Sequence, residues 1–221
     1  TTRGAQHSYL GMTITVGPEF YDLDMSGYLD KLLEGRQVKA CSCPANDTLM
    51  DEHVDAELLD AEAQKIFHSD VATVLYIAKR VRQMVLPATS ILAGRVTKAT
   101  THDREQLDRV FGYLLYSRDL CMRYKCGGRV TLTVYVDASW AVHDDCHGRS
   151  GIVVMMAGCS VGAWTFKQKI ITRNSTESEL VALSDATSHM MWYRRWLRMQ
   201  GHDIEPIPVK EENQAVVDLM A

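Results

Sequence analysis

Apolar and polar positions alternate through "HSYLGMTITV", with Leu10, Met12, Ile14 and Val16 in phase, until Gly17-Pro18 interrupts the run. A period of two marks a strand with one buried face, and the Gly-Pro pair marks the turn that ends it. The period then lengthens. In "SGYLDKLLEG", Leu29, Leu32 and Leu33 share a helical face, Ser26 stands at an N-cap position and Gly35 stops the run, which predicts a short helix. Residues 36–60, around "CSCPANDTLMDEHVD", carry no period and read as a connecting loop. Helical spacing returns within residues 61–86 through Val71, Val74, Leu75 and Ala78. A further helix is predicted from Thr101 through Ser117, on Leu107, Val110, Phe111 and Leu114.

The stretch "CGG" at 126–128 separates this mostly helical half from a different pattern. "RVTLTVYVD" (129–137), "SGIVVMMAG" (150–158) and "SVGAWTFKQK" (160–169) are β-like runs with short connections, which predict a meander. A long helix is predicted from Ser175 or Thr176 to about Gln200, ended by Gly201. "IPVK" then reads as a short strand and "NQAVVDLMA" as the start of another helix. The order βββαβα predicts an α/β domain with a mixed sheet.

Three acids in this half stand where chemistry gathers. Thr176 and Glu179 have the spacing of a capping box, a common way for a helix to begin. At about 100° per residue, Glu179 also falls on the stripe of Leu183, Thr187, Met190 and Leu197. Val181, Trp192 and Met199 form a second apolar stripe roughly opposite, so the helix is expected to be covered on both sides. A carboxylate at the edge of a buried face is costly unless it is capped, paired or bound to a cation. Capping and a functional role therefore both stand for Glu179. Glu177, two positions away, lies off the stripe and reads as a solvated first-turn acid that favours the helix dipole. Asp137 ends the strand "TLTVYVD" on the face opposite Leu132, Val134 and Val136, either to start a turn or to serve a site. Glu212 follows "PIPVK" and precedes a helix. Together the three would meet at strand ends and a helix N-terminus, where α/β sheets bind ligands. Clustered carboxylates repel one another, and a hard divalent cation relieves the repulsion.

Composition narrows the alternatives. The chain has 221 residues, 46% of them apolar, which is enough for a real core in one large domain or two small ones. A net charge of −4 gives no global attraction to nucleic acid, so such binding must come from local basic patches. No apolar run approaches the ~20 residues of a membrane span, and the first residues lack the apolar centre of a secretory signal. There is no initiating Met, as expected of a piece of a longer chain. The six cysteines include no C-x-x-C pair, and "VHDDCHG", with His143, Cys146 and His147, fits no common zinc spacing.

The motifs "YVDASWA", "STESELVALSDA" and "EENQAVV", in that order, resemble the ribonuclease H domain of copia-type LTR retrotransposons, with its D-A-D-W-A, S-S-T-E-A-E-Y-x-A-L and D-N-Q-S-A. Trp164, Lys167, Gln168 and Lys169 sit at or near further landmarks of that family. Upstream, "YLGMTITV" and the stretch from "VATVLYIAKRV" to "CMRY" resemble the end of its reverse transcriptase, so the likeness covers nearly the whole chain. The resemblance implies a reverse transcriptase thumb or connection region at 1–127 and a ribonuclease H-like mixed sheet, truncated at its C-terminus, at 128–221. It implies cleavage of the RNA strand of an RNA–DNA hybrid, with Asp137, Glu179 and Glu212 as catalytic, metal-holding acids for Mg2+ or Mn2+. Lys167, Lys169 and Arg173 would contact phosphates, and Arg194, Arg195 and Arg198 form a second basic cluster. The implied partners are the hybrid and the remaining Pol polyprotein, with no membrane, in the cytoplasm or nucleus of a cell.

Departures from the family open a second reading. The polymerase's Y-x-D-D segment is absent, so no polymerase activity is expected from this chain alone. Glu212 stands in place of the family's Asp, which displaces the carboxylate by roughly 1 Å, enough to cost about a hundredfold in rate. "VRQ" replaces an upstream R-P-D, and the chain ends before the family's last acidic element. A catalytically decayed remnant, acting at most as an interaction module, is the alternative.

Overall fold

A computed structural model of the chain describes residues 4–51, 55–127, 129–204 and 206–220. The chain divides into two compact units, Thr1–Arg123 and Tyr124–Ala221. That division falls a few residues before the expected "CGG" boundary, of which Gly128 lies outside the described residues. With two sheets and six helices among the described residues, the chain is mixed α/β.

The first unit holds more strand than its sequence announces. What reads as one strand is a hairpin, β1 (Gln6–Tyr9) and β2 (Met12–Val16), in which Tyr9 pairs with Met12. The turn is Leu10-Gly11, with φ of 49° and 76°. Positive φ at both central residues matches the twist of the strands they join. Leucine rarely adopts that conformation, so "LG" does not declare itself as a turn the way Asn-Gly would. β3 (Phe20–Asp24) and β4 (Met122–Lys125) complete the sheet in the order β1-β2-β3-β4. The helices are α1 (Ser26–Leu33), α2 (Ala61–Ala78), α3 (Leu86–Gly94) and α4 (Thr101–Tyr116). Their core includes Leu29, Phe67, Val74, Ile77, Leu107 and Phe111, all fully buried.

Three charged groups among the described residues are buried within this unit, each with partners: Asp70, Arg82 and Asp103, the last accepting from Arg95 at 3.1 Å. Asp70 accepts hydrogen bonds from Arg36 at 2.9 Å and Arg104 at 2.8 Å. The Arg82 guanidinium donates to the carbonyls of Leu120 and Arg118, the latter at 2.7 Å. Those bonds tie the segment after α4 to the helical core.

The second unit follows the predicted order. β5 (Leu132–Ser139), β6 (Arg149–Met156) and β7 (Cys159–Lys167) form the antiparallel meander, α5 (Ser175–Met199) follows, then β8 (Val209–Lys210) and α6 (Gln214–Met220). The sheet order is β7-β6-β5-β8, with β8 parallel to β5. The core joins Leu132, Val134 and Val136 of β5 with Ile152 and Val154 of β6 and Ala182, Ala186 and Leu197 of α5.

The buried face of α5 differs from the expected stripe. Ser178, Glu179, Ala182, Ala186 and Leu197 are buried, whereas Thr187 is exposed. Small side chains at 178, 182 and 186 let the helix lie close to the sheet. They contribute little to a hydrophobic pattern, which is set by large residues, so the pattern misplaced the seam. The helix is also not covered on both sides: Trp192 and Met199 are 59% and 79% exposed.

Candidate functional site

β5 carries Asp137 as its alternation requires. Leu132, Val134 and Val136 are buried, Tyr135 and Asp137 are exposed, and Asp137 pairs with Gly151 of β6. The next residue, Ala138, gives its backbone N–H to the carboxylate of Glu179. That bond brings the end of β5 and the first turn of α5 into one site.

The N-terminus of α5 is capped by other residues than Thr176 and Glu179. Asn174 is the N-cap, and its side chain accepts from the Glu177 N–H at 2.9 Å. Glu177 in turn accepts from the Arg173 N–H at 2.6 Å. Helix termini leave such donors for a residue at the N-cap, and with Asn174 in that place Thr176 lies inside the helix and cannot cap it. Glu179 is thereby released from any capping duty. It is only 7% exposed, and its Oε2 is buried with no hydrogen-bond partner.

The first turn of α5 is held by Gln168, which is buried just after β7. Its Nε2 donates to Ser150 Oγ at 3.1 Å and to the Ser178 carbonyl at 2.9 Å, while Ser178 Oγ donates to its Oε1 at 3.0 Å. Its backbone N–H reaches the Gly148 carbonyl at 2.8 Å. Gly148 admits no side chain there, because a Cβ would lie 2.6 Å from Gln168 Oε1 and 2.8 Å from Ser178 Oγ. Gln168 appears in the sequence only as a family landmark. Its tethering role depends on β6, β7 and α5 meeting.

The third acid is where geometry adds a residue. β8 pairs Val209 with Val134 and Lys210 with Tyr135. Paired residues of parallel strands share a face, and faces alternate along a strand. One step on, Glu211 falls on the core face with Val136, and Glu212 on the outer face. The burial agrees: Glu211 is partly buried with its Oε2 unpartnered, and Glu212 is exposed. Glu211 Oε1 accepts from the Asn213 N–H at 3.0 Å, and Asn213 caps α6 through the Ala215 N–H at 3.1 Å. The alternation of "PVKEE" carries this signal, although motif matching alone selects Glu212.

The electrostatics follow the same order. Burial first, and then the negative charges of Glu211, Asp137 and, more weakly, Glu212, together push the Glu179 carboxyl up to about 7, against the Ala138 hydrogen bond. Asp137, Glu179 and Glu211 thus share one electrostatic neighbourhood, with Glu212 at its margin. Among the described residues, no three His, Cys, Asp or Glu side chains stand together at distances suited to holding a metal ion.

The basic residues differ in their engagement. Lys167 is ion-paired with Asp145 of the β5–β6 loop. The Lys167 hydrogen bond holds the Asp145 carboxyl down to about 2, against desolvation and with help from His147. Lys169 and Arg173 are exposed on the segment leading into α5. In the β5–β6 loop the Cys146 N–H bonds the His143 carbonyl at 2.8 Å, and the His147 ring lies 3.1 Å from Asp145.

Known proteins bear on this arrangement. No protein-family model matches the chain. A Saccharomyces cerevisiae protein attributed to transposon Ty5-1 is 33% identical over 122 residues, which are 54% of this chain and 39% of that protein. The retrovirus-related Pol polyprotein from transposon RE2 of Arabidopsis thaliana is 31% identical over 104 residues, 47% of this chain and 7% of the polyprotein. The chain is related to retrotransposon Pol polyproteins. It corresponds to a fragment of such a polyprotein, consistent with the copia-type resemblance of its motifs. The secreted RxLR effector protein 161 of Plasmopara viticola is 28% identical over 127 residues, 56% of this chain and 88% of that protein. This Pol-related chain spans well under half the length of the yeast relative. Among its described residues, no helix is long and apolar enough to cross a membrane.

Proposed function

We propose that the Tyr124–Ala221 unit of this Pol-related chain is a ribonuclease H-type hydrolase that cuts the RNA strand of RNA–DNA hybrids. The observation that carries the reading is Glu179, a carboxylate buried in the first turn of α5 with an unpartnered oxygen and with Asp137 and Glu211 as its charged neighbours. The β7-β6-β5-β8 order, with a parallel fourth strand and α5 on the sheet, supports a ribonuclease H-like fold. The first unit is read as the end of the reverse transcriptase, a nucleic-acid-holding region.

The donor set fits magnesium, with manganese as a substitute. It consists of hard carboxylate oxygens, and two of them, on Glu179 and Glu211, are buried without a partner. Uncompensated like charge is what a divalent cation relieves. Asp137, Glu179 and Glu211 would hold the ions, with Glu212 beside them. Bound there, a pair of such ions supplies an activated water and stabilisation of the leaving oxygen. The chain's own groups do the rest. Ala138 orients the Glu179 carboxylate, and Gln168 fixes the turn that carries it. Lys169 and Arg173 are placed to meet phosphates. Lys167 can join them only by leaving Asp145. A hybrid would be recognised by shape and by RNA 2′-hydroxyls.

One observation favours the alternative, a non-catalytic remnant: the acids are not drawn into a ready three-donor group. Cleavage of a labelled RNA–DNA hybrid in Mg2+ and Mn2+, with Asp137→Asn as control, decides between them. Cleavage that vanishes in the variant supports the hydrolase. Intact hybrid with folded wild-type chain leaves the remnant.

A further inference from the structure

The side of α5 turned away from the sheet has a composition its fold does not use. Trp192, Met191, Trp196 and Met199 are 59%, 54%, 41% and 79% exposed. Residues 186–200 contain three arginines and no carboxylate, in a chain whose net charge is −4. Arg195 is exposed between the two tryptophans, and Arg198 lies 3.6 Å from Asp203. An open cavity of about 750 Å3 runs along this face, lined by Met191, Trp192, Arg195 and Met199 among others.

The tryptophans are ordered relative to each other. Four positions apart on one helix, their rings are parallel within 3°, with centroids 6.3 Å apart. Tyr193 meets the Trp192 ring edge-on at 4.9 Å, which limits its rotation. Exposed aromatic planes interleaved with cations are what a single strand of nucleic acid requires. Bases stack on the rings, and phosphates meet the guanidinium groups. A duplex offers no free base faces except at its ends. Protein interfaces also favour Trp, Met and Arg, but a face whose arginines outnumber the one carboxylate beside it, Asp203, selects a polyanion.

We infer that the outward face of α5 binds single-stranded nucleic acid, with Trp192 and Trp196 stacking on bases and the arginines between and beside them meeting phosphates. The site is separate from the acids around Glu179 and does not depend on their chemistry. In a Pol-related protein it would hold the unpaired strand adjoining a hybrid.

Anisotropy of fluorescein-labelled oligo(dT) with the full chain, across a salt series, tests the inference. Expected is binding that weakens as salt rises. Trp192→Ala/Trp196→Ala should weaken it roughly tenfold or more, and Arg195→Ala should flatten the salt dependence. Asp137→Asn should bind as wild type does, which separates this surface from the hydrolytic reading. Both indoles are exposed, so circular dichroism should report a native fold in the double variant. Unchanged affinity in that folded variant, or no oligo(dT) binding by wild type, would overturn the inference. So would a dimer of the chain that the same substitutions dissolve, since the face would then belong to a second copy.

Discussion

Gln168 and Ser178 exchange two hydrogen bonds, from Gln168 Nε2 to the Ser178 carbonyl at 2.9 Å and from Ser178 Oγ to Gln168 Oε1 at 3.0 Å. Both residues are buried. The pair fixes the residue immediately before Glu179, and a third bond to Ser150 anchors it to β6. Gln168→Leu leaves the Ser178 hydroxyl and carbonyl without this partner. Stability should fall by about 1–3 kcal/mol, read as a lower urea midpoint. If the hydrolase is active, its rate should fall further than stability explains, because Glu179 is no longer held.

Gly148→Ala attacks the same network from the other side. The added methyl would stand 2.6 Å from Gln168 Oε1 and 2.9 Å from the Ser139 carbonyl, closer than carbon tolerates. Overpacking of this kind costs roughly 1–3 kcal/mol. Thermal unfolding followed by circular dichroism should show a lower midpoint. An unchanged midpoint would mean the loop is free to shift and that the tether is soft.

Glu179 makes stability depend on pH with a definite sign. Its carboxyl is held at about 7 in the folded chain, against 4.5 for the free side chain. Between those values the folded chain keeps a proton that the unfolded chain has released. Stability from this group is therefore complete below the lower value and lost as pH rises through about 7. Glu179→Gln removes the loss. In chelator, the variant should be more stable than wild type by about 1–3 kcal/mol near pH 8, and the advantage should close toward about pH 4.5. Urea titrations at the two ends of that range measure it. An advantage that does not vary with pH would assign the effect to packing.

Glu211 and Glu212 should separate in their response to magnesium. A ligand that binds the folded chain raises its melting temperature. Millimolar Mg2+ should stabilise wild type, and Glu211→Gln should abolish most of that shift while Glu212→Gln keeps most of it. The reverse ranking would return the third position to the residue that the motif selects.

Local geometry made much of this chain readable. In "TLTVYVD" a strand must send successive side chains to opposite faces, so the exposure of Asp137 opposite Leu132, Val134 and Val136 followed from their order alone. The βββαβα succession and the span of α5 were legible for the same reason. The helical repeat and the alternation of strands are properties of the covalent chain. The hairpin at Leu10-Gly11 escaped because its turn uses a residue that seldom takes positive φ.

What only the tertiary structure decided concerns burial and partnership. Whether Glu179 caps its helix depended on Asn174, rather than Thr176, standing at the N-cap. Which acid joins it depended on β8 pairing in parallel with β5, which turns Glu211 inward and Glu212 outward. The seam of α5 followed three small residues that carry little hydrophobic signal, and left Trp192 and Trp196 outside. A sequence specifies the direction in which each side chain leaves its own backbone. What that side chain meets is set by other segments, and for a carboxylate the difference between water and a buried neighbour is a matter of several kcal/mol.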